Sequence, residues 1–122
     1  MEIRYDDVQD NILILKADGA LNSHTADQFI DSLEKMVGAG MWNIIVDCSE
    51  LEHISSYGLG VLVRMHKRMG EGLGEIKIAS ARGLIVDVLR LTRLSKLFQI
   101  YPDVASAREA FTKEKKPPII FR

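Results

Sequence analysis

A chain of 122 residues is long enough to form one domain that buries about two-thirds of the surface of its unfolded state. Its 47% hydrophobic residues, 27% charged residues and formal net charge of -1 exclude a disordered chain and a protein held on nucleic acid by bulk charge. The single cysteine, Cys48, excludes an internal disulfide and the usual zinc-binding spacings.

The first third of the chain predicts a hairpin and then a helix. Two β-type runs, Glu2–Val8 and Asn11–Lys16, are separated by a short break, so we expect two antiparallel strands. Thr25 and Gln28 have the spacing of a capping box, and apolar residues recur every three or four positions before the glycines that begin at Gly38. We therefore expect a helix that packs one face on a sheet.

The middle of the chain predicts a central strand followed by a second helix. Trp42–Val46 is nearly all apolar, which is typical of a strand covered on both faces. We expect this strand to end at Asp47, a polar loop to follow, and Ser55 and Ser56 to open the helix. One face of that helix is apolar, and the opposite face carries Arg64, Lys67 and Arg68.

The last third repeats the alternation of strands and helices. Glu75–Ala79 reads as a strand in which isoleucines alternate with charged residues. Leu84–Leu91 predicts a third helix with two adjacent apolar rows, one through Leu84 and Leu91 and the other through Ile85 and Leu89. A short strand at Phe98–Tyr101 and a fourth helix capped by Asp103 follow.

This order of elements predicts a single α/β domain over residues 1–113. An initial hairpin joins a mixed, mostly parallel sheet with about four helices packed on it. Residues 114–122 are basic and contain two prolines, so we expect a loosely ordered tail. The apolar cluster Ile119–Phe121 in this tail would fold back or contact a partner or a second copy, so weak self-association is one expectation.

The stretch from Asp47 to Leu62 carries the features from which function is inferred. Helix N-termini at the carboxyl edge of an α/β sheet present unpaired N–H groups and a partial positive charge. A phosphoryl group on Ser55 or Ser56 would carry about -1.5 to -2 charges, which a helix end tolerates but a docked partner would not. A simple N-cap explains the same two serines, and the spacing alone favours it.

Enzymatic, metal and membrane sites are not indicated. The three histidines are scattered, and His53 near the serines lacks the nucleophile-elbow pattern. The glycine-rich run Gly70–Gly74 follows a helix and precedes a strand, the reverse of the phosphate-binding order. We expect no enzyme activity, no metal and no cofactor. No signal segment or apolar run of roughly 18 residues is present, so we expect a cytoplasmic protein without membrane insertion.

Ile54–Leu62, preceded by Asp47-Cys48-Ser49, resembles the signature of STAS domains of the anti-sigma factor antagonist type. In that signature a strand leads to Asp or Ser, then Ser, a small residue, Gly, and Leu or Ile. Gly19–Ala26 resembles the family's turn into its first helix, and Leu84–Leu97 resembles its third helix with the leucine-rich segment that follows. The resemblance covers about residues 3–112.

The resemblance implies a bacterial transcription regulator that acts by partner switching. Unphosphorylated, such a protein binds an anti-sigma factor, often itself a serine kinase, and so frees a sigma factor. The kinase inactivates it by phosphorylating one serine, and a PP2C-type phosphatase restores it. By motif position the phosphoacceptor is Ser56, with Ser55 as second choice, and no direct contact with nucleic acid is implied.

The resemblance also places the partner-binding surface around Ser56, with Asp47 close to it. The expected partner-binding residues are Asn22, Asp47, Ser55, Tyr57, Gly58, Arg64, Lys67 and Arg68.

Three of these residues depart from the family pattern and bear on which partner is recognised. Ser55 stands where many members have Asp, Tyr57 where a small residue is usual, and Asn22 where Asp is common. The alternative function is a STAS module that holds a nucleotide or another anion at the helix N-terminus, with Ser55 and Ser56 as donors.

Overall fold

A computed structural model describes residues 3–9, 12–38, 40, 43–71 and 74–113 of the chain. These residues form five strands, four α-helices and a 3₁₀ turn, which confirms the predicted α/β fold. In chain order the elements are β1 (Ile3–Gln9), β2 (Ile12–Leu21), α1 (Ala26–Gly38), β3 (Asn43–Ile54), α2 (Ser56–Glu71), β4 (Glu75–Ala79), α3 (Leu84–Leu91), the 3₁₀ turn (Leu94–Lys96), β5 (Ile100–Tyr101) and α4 (Val104–Lys113).

The five strands form one mixed sheet in the order β1-β2-β3-β4-β5. β1 is antiparallel to β2, as the predicted hairpin requires, and every other neighbouring pair is parallel. The parallel strands need crossover connections, which α1, α2 and α3 provide. The carboxyl ends of β2 and β3 therefore both lead into helices at one edge of the sheet.

The sheet separates two layers of core because alternate side chains of each strand point to opposite faces. Leu13 and Leu15 of β2 and Val46 of β3 belong to the larger cluster, together with buried residues of α1, α2 and α3. Ile14 and Ile45 lie on the other face and pack in a smaller cluster with two residues of α4, Ala107 and Phe111.

Lys77 on β4 is fully buried, although its charge suggested a partly exposed strand face. Its ammonium group donates to the Gln99 side chain, lies 3.4 Å from Glu75 Oε2, and is 4.6 Å from the centre of the Phe111 ring. The charge is thus paired and covered by α4, which is how a buried lysine avoids a large desolvation penalty.

The two apolar rows of α3 differ in burial. Ile85 and Leu89 are buried in the larger cluster, whereas Leu84 is 57% exposed and Leu91 is 82% exposed. The row through Leu84 and Leu91 therefore faces solvent. The predicted tail, residues 114–122, and the side chain of Trp42 lie outside the described residues.

β3 is longer than predicted and includes the segment expected to be a polar loop. From Asp47 onward β3 stays paired with β2, and the pairing of Leu21 with Ile54 marks its end. Over this segment β2 advances five residues, from Lys16 to Leu21, while β3 advances seven, so the register shifts place two bulges in β3. The bulges interrupt the alternation of side chains that would have identified a strand.

Candidate functional site

The first turn of α2 is joined directly to the end of β2. The Ser55 N–H donates a hydrogen bond of 2.9 Å to the Leu21 carbonyl oxygen. The Ser55 hydroxyl oxygen accepts a hydrogen bond of 3.1 Å from the Gly58 N–H, which is the geometry of a helix N-cap. The N-cap interpretation therefore applies to Ser55, and α2 begins at Ser56.

The Ser56 side chain is exposed at the first position of α2. Ser56 forms no side-chain hydrogen bond within the part of the chain that the structure describes. The two adjacent serines thus have different roles, because the Ser55 hydroxyl is occupied in the cap while the Ser56 hydroxyl is presented to solvent.

Gly58 is buried and fixes how closely α2 approaches β2. A Cβ atom at this position would lie 2.5 Å from the Leu21 carbonyl oxygen and 2.9 Å from its Cγ. Real Cβ atoms essentially never make contacts this short with backbone atoms. The first turn of α2 therefore needs glycine at position 58 to approach β2 this closely. The structure shows that Gly58 positions the helix against Leu21, and the expected contact of Gly58 with a partner stays a prediction.

The turn from β2 into α1 lies beside this helix start. The Asn22 Oδ1 atom accepts hydrogen bonds from the His24 N–H at 2.9 Å and from the Thr25 N–H at 3.2 Å. The Thr25 hydroxyl donates to the Ala20 carbonyl at 2.7 Å, which ties the turn to β2 in place of the expected capping box with Gln28. Asn22 directly follows Leu21, so the structure brings the turn and Ser55 together.

Asp47 does not lie near Ser56, contrary to expectation. Asp47 pairs in register with Lys16, and Ile54 pairs with Leu21. Five residues of β2 separate these two levels, which corresponds to about 16 Å along the strand. The Asp47 side chain is 7% exposed and accepts a 3.0 Å hydrogen bond from the Ser49 N–H, so it stabilises the first bulge of β3.

A row of exposed residues runs from Ser56 along the solvent face of α2. With 3.6 residues per turn, residues three or four apart are rotated by only about 40–60° around the helix and therefore lie on the same face. We call the set of Ser56, Gly60, Arg64 and Lys67 the Ser56 row; all four residues are exposed.

The other predicted residues of α2 flank this row. Tyr57 is 50% exposed beside it. Arg68 forms an ion pair with Glu34 of α1, which fixes its guanidinium group against the neighbouring helix. Sequence reasoning did not single out Gly60, although its four-residue spacing from Ser56 could have identified it.

A shallow groove lies beside the second half of β3 but does not include Ser55 or Ser56. β4 ends at Ala79, which pairs with Asp47, so β4 does not pair with the second half of β3. The Arg82 guanidinium group donates a 2.6 Å hydrogen bond to the Ser49 carbonyl oxygen of that half. The groove is lined by Asp18, Gly19, Cys48, Ser49, Glu50, Leu51, Glu52, Arg82 and Gly83. Its three acidic residues, Asp18, Glu50 and Glu52, disfavour the binding of an anion in this groove.

The thiol of Cys48 is unreactive in this environment. Burial, assisted by the charge of Asp47, raises the pKa of the Cys48 thiol to about 12. A thiol with this pKa carries almost no reactive thiolate at neutral pH.

The described ranges contain neither a cluster of metal-binding side chains nor a helix that could span a membrane. No three His, Cys, Asp or Glu side chains are grouped so that they could hold a metal ion. No helix in these ranges has the length and apolar character needed to cross a bilayer.

The comparisons with known proteins agree with this fold. The STAS domain family matches residues 6–107. The protein named "Putative anti-sigma factor antagonist BtrV" from Bordetella bronchiseptica is 30% identical over 110 residues, which cover 90% of each chain. The crystal structure of TM1081 from Thermotoga maritima has a TM-score of 0.82 at 28% identity, covering 88% of this chain and 92% of that one.

The anti-sigma factor antagonist SpoIIAA is a more distant structural neighbour. Its unphosphorylated form has a TM-score of 0.79 at 13% identity, covering 94% of this chain and 100% of that one. A second structure shows SpoIIAA from Bacillus in its phosphorylated form, with a TM-score of 0.69 at 14% identity over 89% of this chain and 99% of that one. At these identities the likeness shows the fold.

The family match over residues 6–107 and the likeness to solved structures identify this fold as a STAS domain. The chain belongs to the STAS domain family, and its homologues place it among the anti-sigma factor antagonists.

Proposed function

We propose that this protein acts by partner switching, with Ser56 as its phosphoacceptor. Its unphosphorylated form binds an anti-sigma factor with serine kinase activity in the cytoplasm and so releases a sigma factor. Phosphorylation of Ser56 by that kinase ends the interaction, and a PP2C-type phosphatase restores it. The observation that carries this proposal is the exposed hydroxyl of Ser56 at the first position of a 16-residue helix.

The position of Ser56 reconciles phosphorylation with a stable fold. A phosphoryl group at the N-terminus of α2 would meet the positive end of the helix dipole, which stabilises an anion by about 0.3–1 kcal/mol at an exposed site. The same group would place up to two negative charges on the surface where a partner docks. Docking would then require desolvating the phosphoryl group, so the interface would weaken while the domain stays folded.

The choice of Ser56 over Ser55 follows from the hydrogen bonds of the first turn. The Ser55 hydroxyl oxygen accepts the Gly58 N–H, and the Ser55 side chain is half-buried. A kinase would have to break this cap to reach Ser55, whereas Ser56 is open to it. Ser55 remains the second choice. Because Ser55 stands where many family members have Asp, this chain lacks the negative charge that an Asp would place next to Ser56.

The site can be tested by phosphorylation followed by mass spectrometry. The full chain is incubated with ATP and, one at a time, with each purified serine-kinase anti-sigma factor of its host. We expect one phosphoryl group on the peptide that contains Ser56. The Ser56→Ala variant should remain unmodified, and the Ser55→Ala variant should still be modified.

Two results would contradict the proposal. Modification that is lost in Ser55→Ala and kept in Ser56→Ala would move the acceptor to Ser55. Protection of this loop by nucleotide without any modification would favour the alternative, in which the helix N-terminus holds a nucleotide or another anion.

A further inference from the structure

Gly60 lies in the middle of α2 at a position where the fold does not need glycine. Its φ is not in the left-handed region, and a Cβ atom added to it would meet no atom within 4 Å. Glycine in the interior of a helix is less favourable than alanine because it loses more conformational freedom on folding. The domain therefore carries a weakening residue that its own packing does not explain.

Gly58 makes the contrast clear within the same turn of helix. A Cβ atom at Gly58 would collide with the Leu21 carbonyl, so glycine is required there by the fold. Gly60 faces away from the sheet, close to the direction opposite the buried Met65 and Met69. If a steric demand exists at Gly60, it comes from outside the domain.

The place of Gly60 in the Ser56 row indicates where that demand arises. Gly60 stands one turn beyond Ser56 on the same face of α2, so a partner that covers Ser56 also covers Gly60. Farther along the row, Arg64 and Lys67 are exposed, and neither forms an ion pair with another described residue. The row is thus flat beside the acceptor serine and positively charged farther along.

From these observations we infer that Gly60 is the point of closest approach for the anti-sigma factor. Backbone or small side chains of that partner pack on Gly60, and acidic side chains of the same segment meet Arg64 and Lys67. A methyl group at position 60 would push the partner away from Ser56 by overpacking the contact. This inference rests on the proposed function and adds the contact that sets how near the partner comes to the acceptor.

The test compares two alanine substitutions on the same helix. Gly60→Ala should raise Tm by a few degrees, because alanine favours the helix. The unphosphorylated Gly60→Ala variant should bind the anti-sigma factor about tenfold more weakly, or weaker still, than the unaltered chain does. Gly70→Ala is the control, since Gly70 is also exposed on α2 with open space around it. It should leave the affinity unchanged.

The binding partners used are the purified serine-kinase anti-sigma factors of the host, measured by titration calorimetry against the full chain. A Gly60→Ala protein that binds as tightly as the unaltered chain would overturn this inference and leave the proposed function standing. An unaltered chain that binds none of these proteins would overturn the proposed function and this inference with it. Reduced self-association at unchanged partner affinity would assign the row to a contact between two copies, which also overturns the inference.

Discussion

The N–H of Ser55 and the carbonyl oxygen of Leu21 form a 2.9 Å hydrogen bond that holds the start of α2 against the end of β2. Because Ser55 also caps α2 through the Gly58 N–H, this residue fixes both the position and the first turn of the helix. Ser56 is therefore held at a defined place on a rigid element while its own hydroxyl stays exposed.

Replacing Gly58 by alanine is expected to destabilise the domain. The new Cβ atom would lie 2.5 Å from the Leu21 carbonyl oxygen, so β2 and α2 would have to move apart. Overpacking of this kind costs about 1–3 kcal/mol of unfolding free energy, measured by urea denaturation. Gly60→Ala, two residues away, is the matched control and should be at least as stable as the unaltered chain; equal stability of the two variants would contradict the close approach.

Ser55 and Ser56 are expected to differ in their effect on stability. Ser55→Ala removes the N-cap of α2 and should lower the free energy of unfolding by about 1 kcal/mol. Ser56→Ala removes an exposed hydroxyl and should change it by less than about 0.5 kcal/mol. Urea denaturation of both variants checks this, and a larger loss in Ser56→Ala than in Ser55→Ala would show that the cap is assigned to the wrong serine.

His66 is expected to make stability depend on pH in the acidic range. Burial lowers the pKa of His66 from its ordinary value of 6.5, with the charge of Lys77 acting in the same direction and that of Glu75 opposing it. The His66 Nδ1 atom also accepts a 3.4 Å hydrogen bond from the Ile76 N–H, which a protonated ring could not do. The neutral ring is therefore the form that fits the fold.

The sign of this effect follows from proton binding. Below about pH 6.5 the unfolded chain takes up a proton on this histidine more readily than the folded chain, so the stability that His66 contributes is lost as the pH falls through its lowered folded pKa. Chemical denaturation from pH 7.5 down to about pH 5, compared between the unaltered chain and His66→Gln, measures it. A variant with the same pH dependence as the unaltered chain would contradict this assignment.

Most elements could be predicted from sequence because their signals are local. The periodicity of α1 and the serines before α2 identified both helix starts within a residue, and α2 does begin at Ser56. The second half of β3 could not be predicted in this way. Its polar residues and two bulges remove the alternation, and its pairing with β2 is a relation between distant parts of the chain.

The features of the core and of the site that sequence did not predict also depend on distant contacts. Lys77 is buried because α4 and Gln99, which follow it along the chain, cover and pair its charge. The need for glycine at position 58 arises from Leu21, far earlier in the chain. The family resemblance implies that Asp47 lies close to Ser56, whereas β3 continues as a paired strand from Asp47 to Ile54, and these two levels of the sheet are about 16 Å apart.

The most direct test of partner switching is the affinity of the cognate anti-sigma factor for three forms of this protein. These forms are the unmodified chain, the chain phosphorylated on Ser56, and Ser56→Ala exposed to the same kinase and ATP. We predict tight binding of the unmodified chain and of Ser56→Ala, and binding at least about 100-fold weaker for the phosphorylated chain, which corresponds to about 2.7 kcal/mol. Equal affinity of the unmodified and phosphorylated chains, with both folded, would contradict the switch.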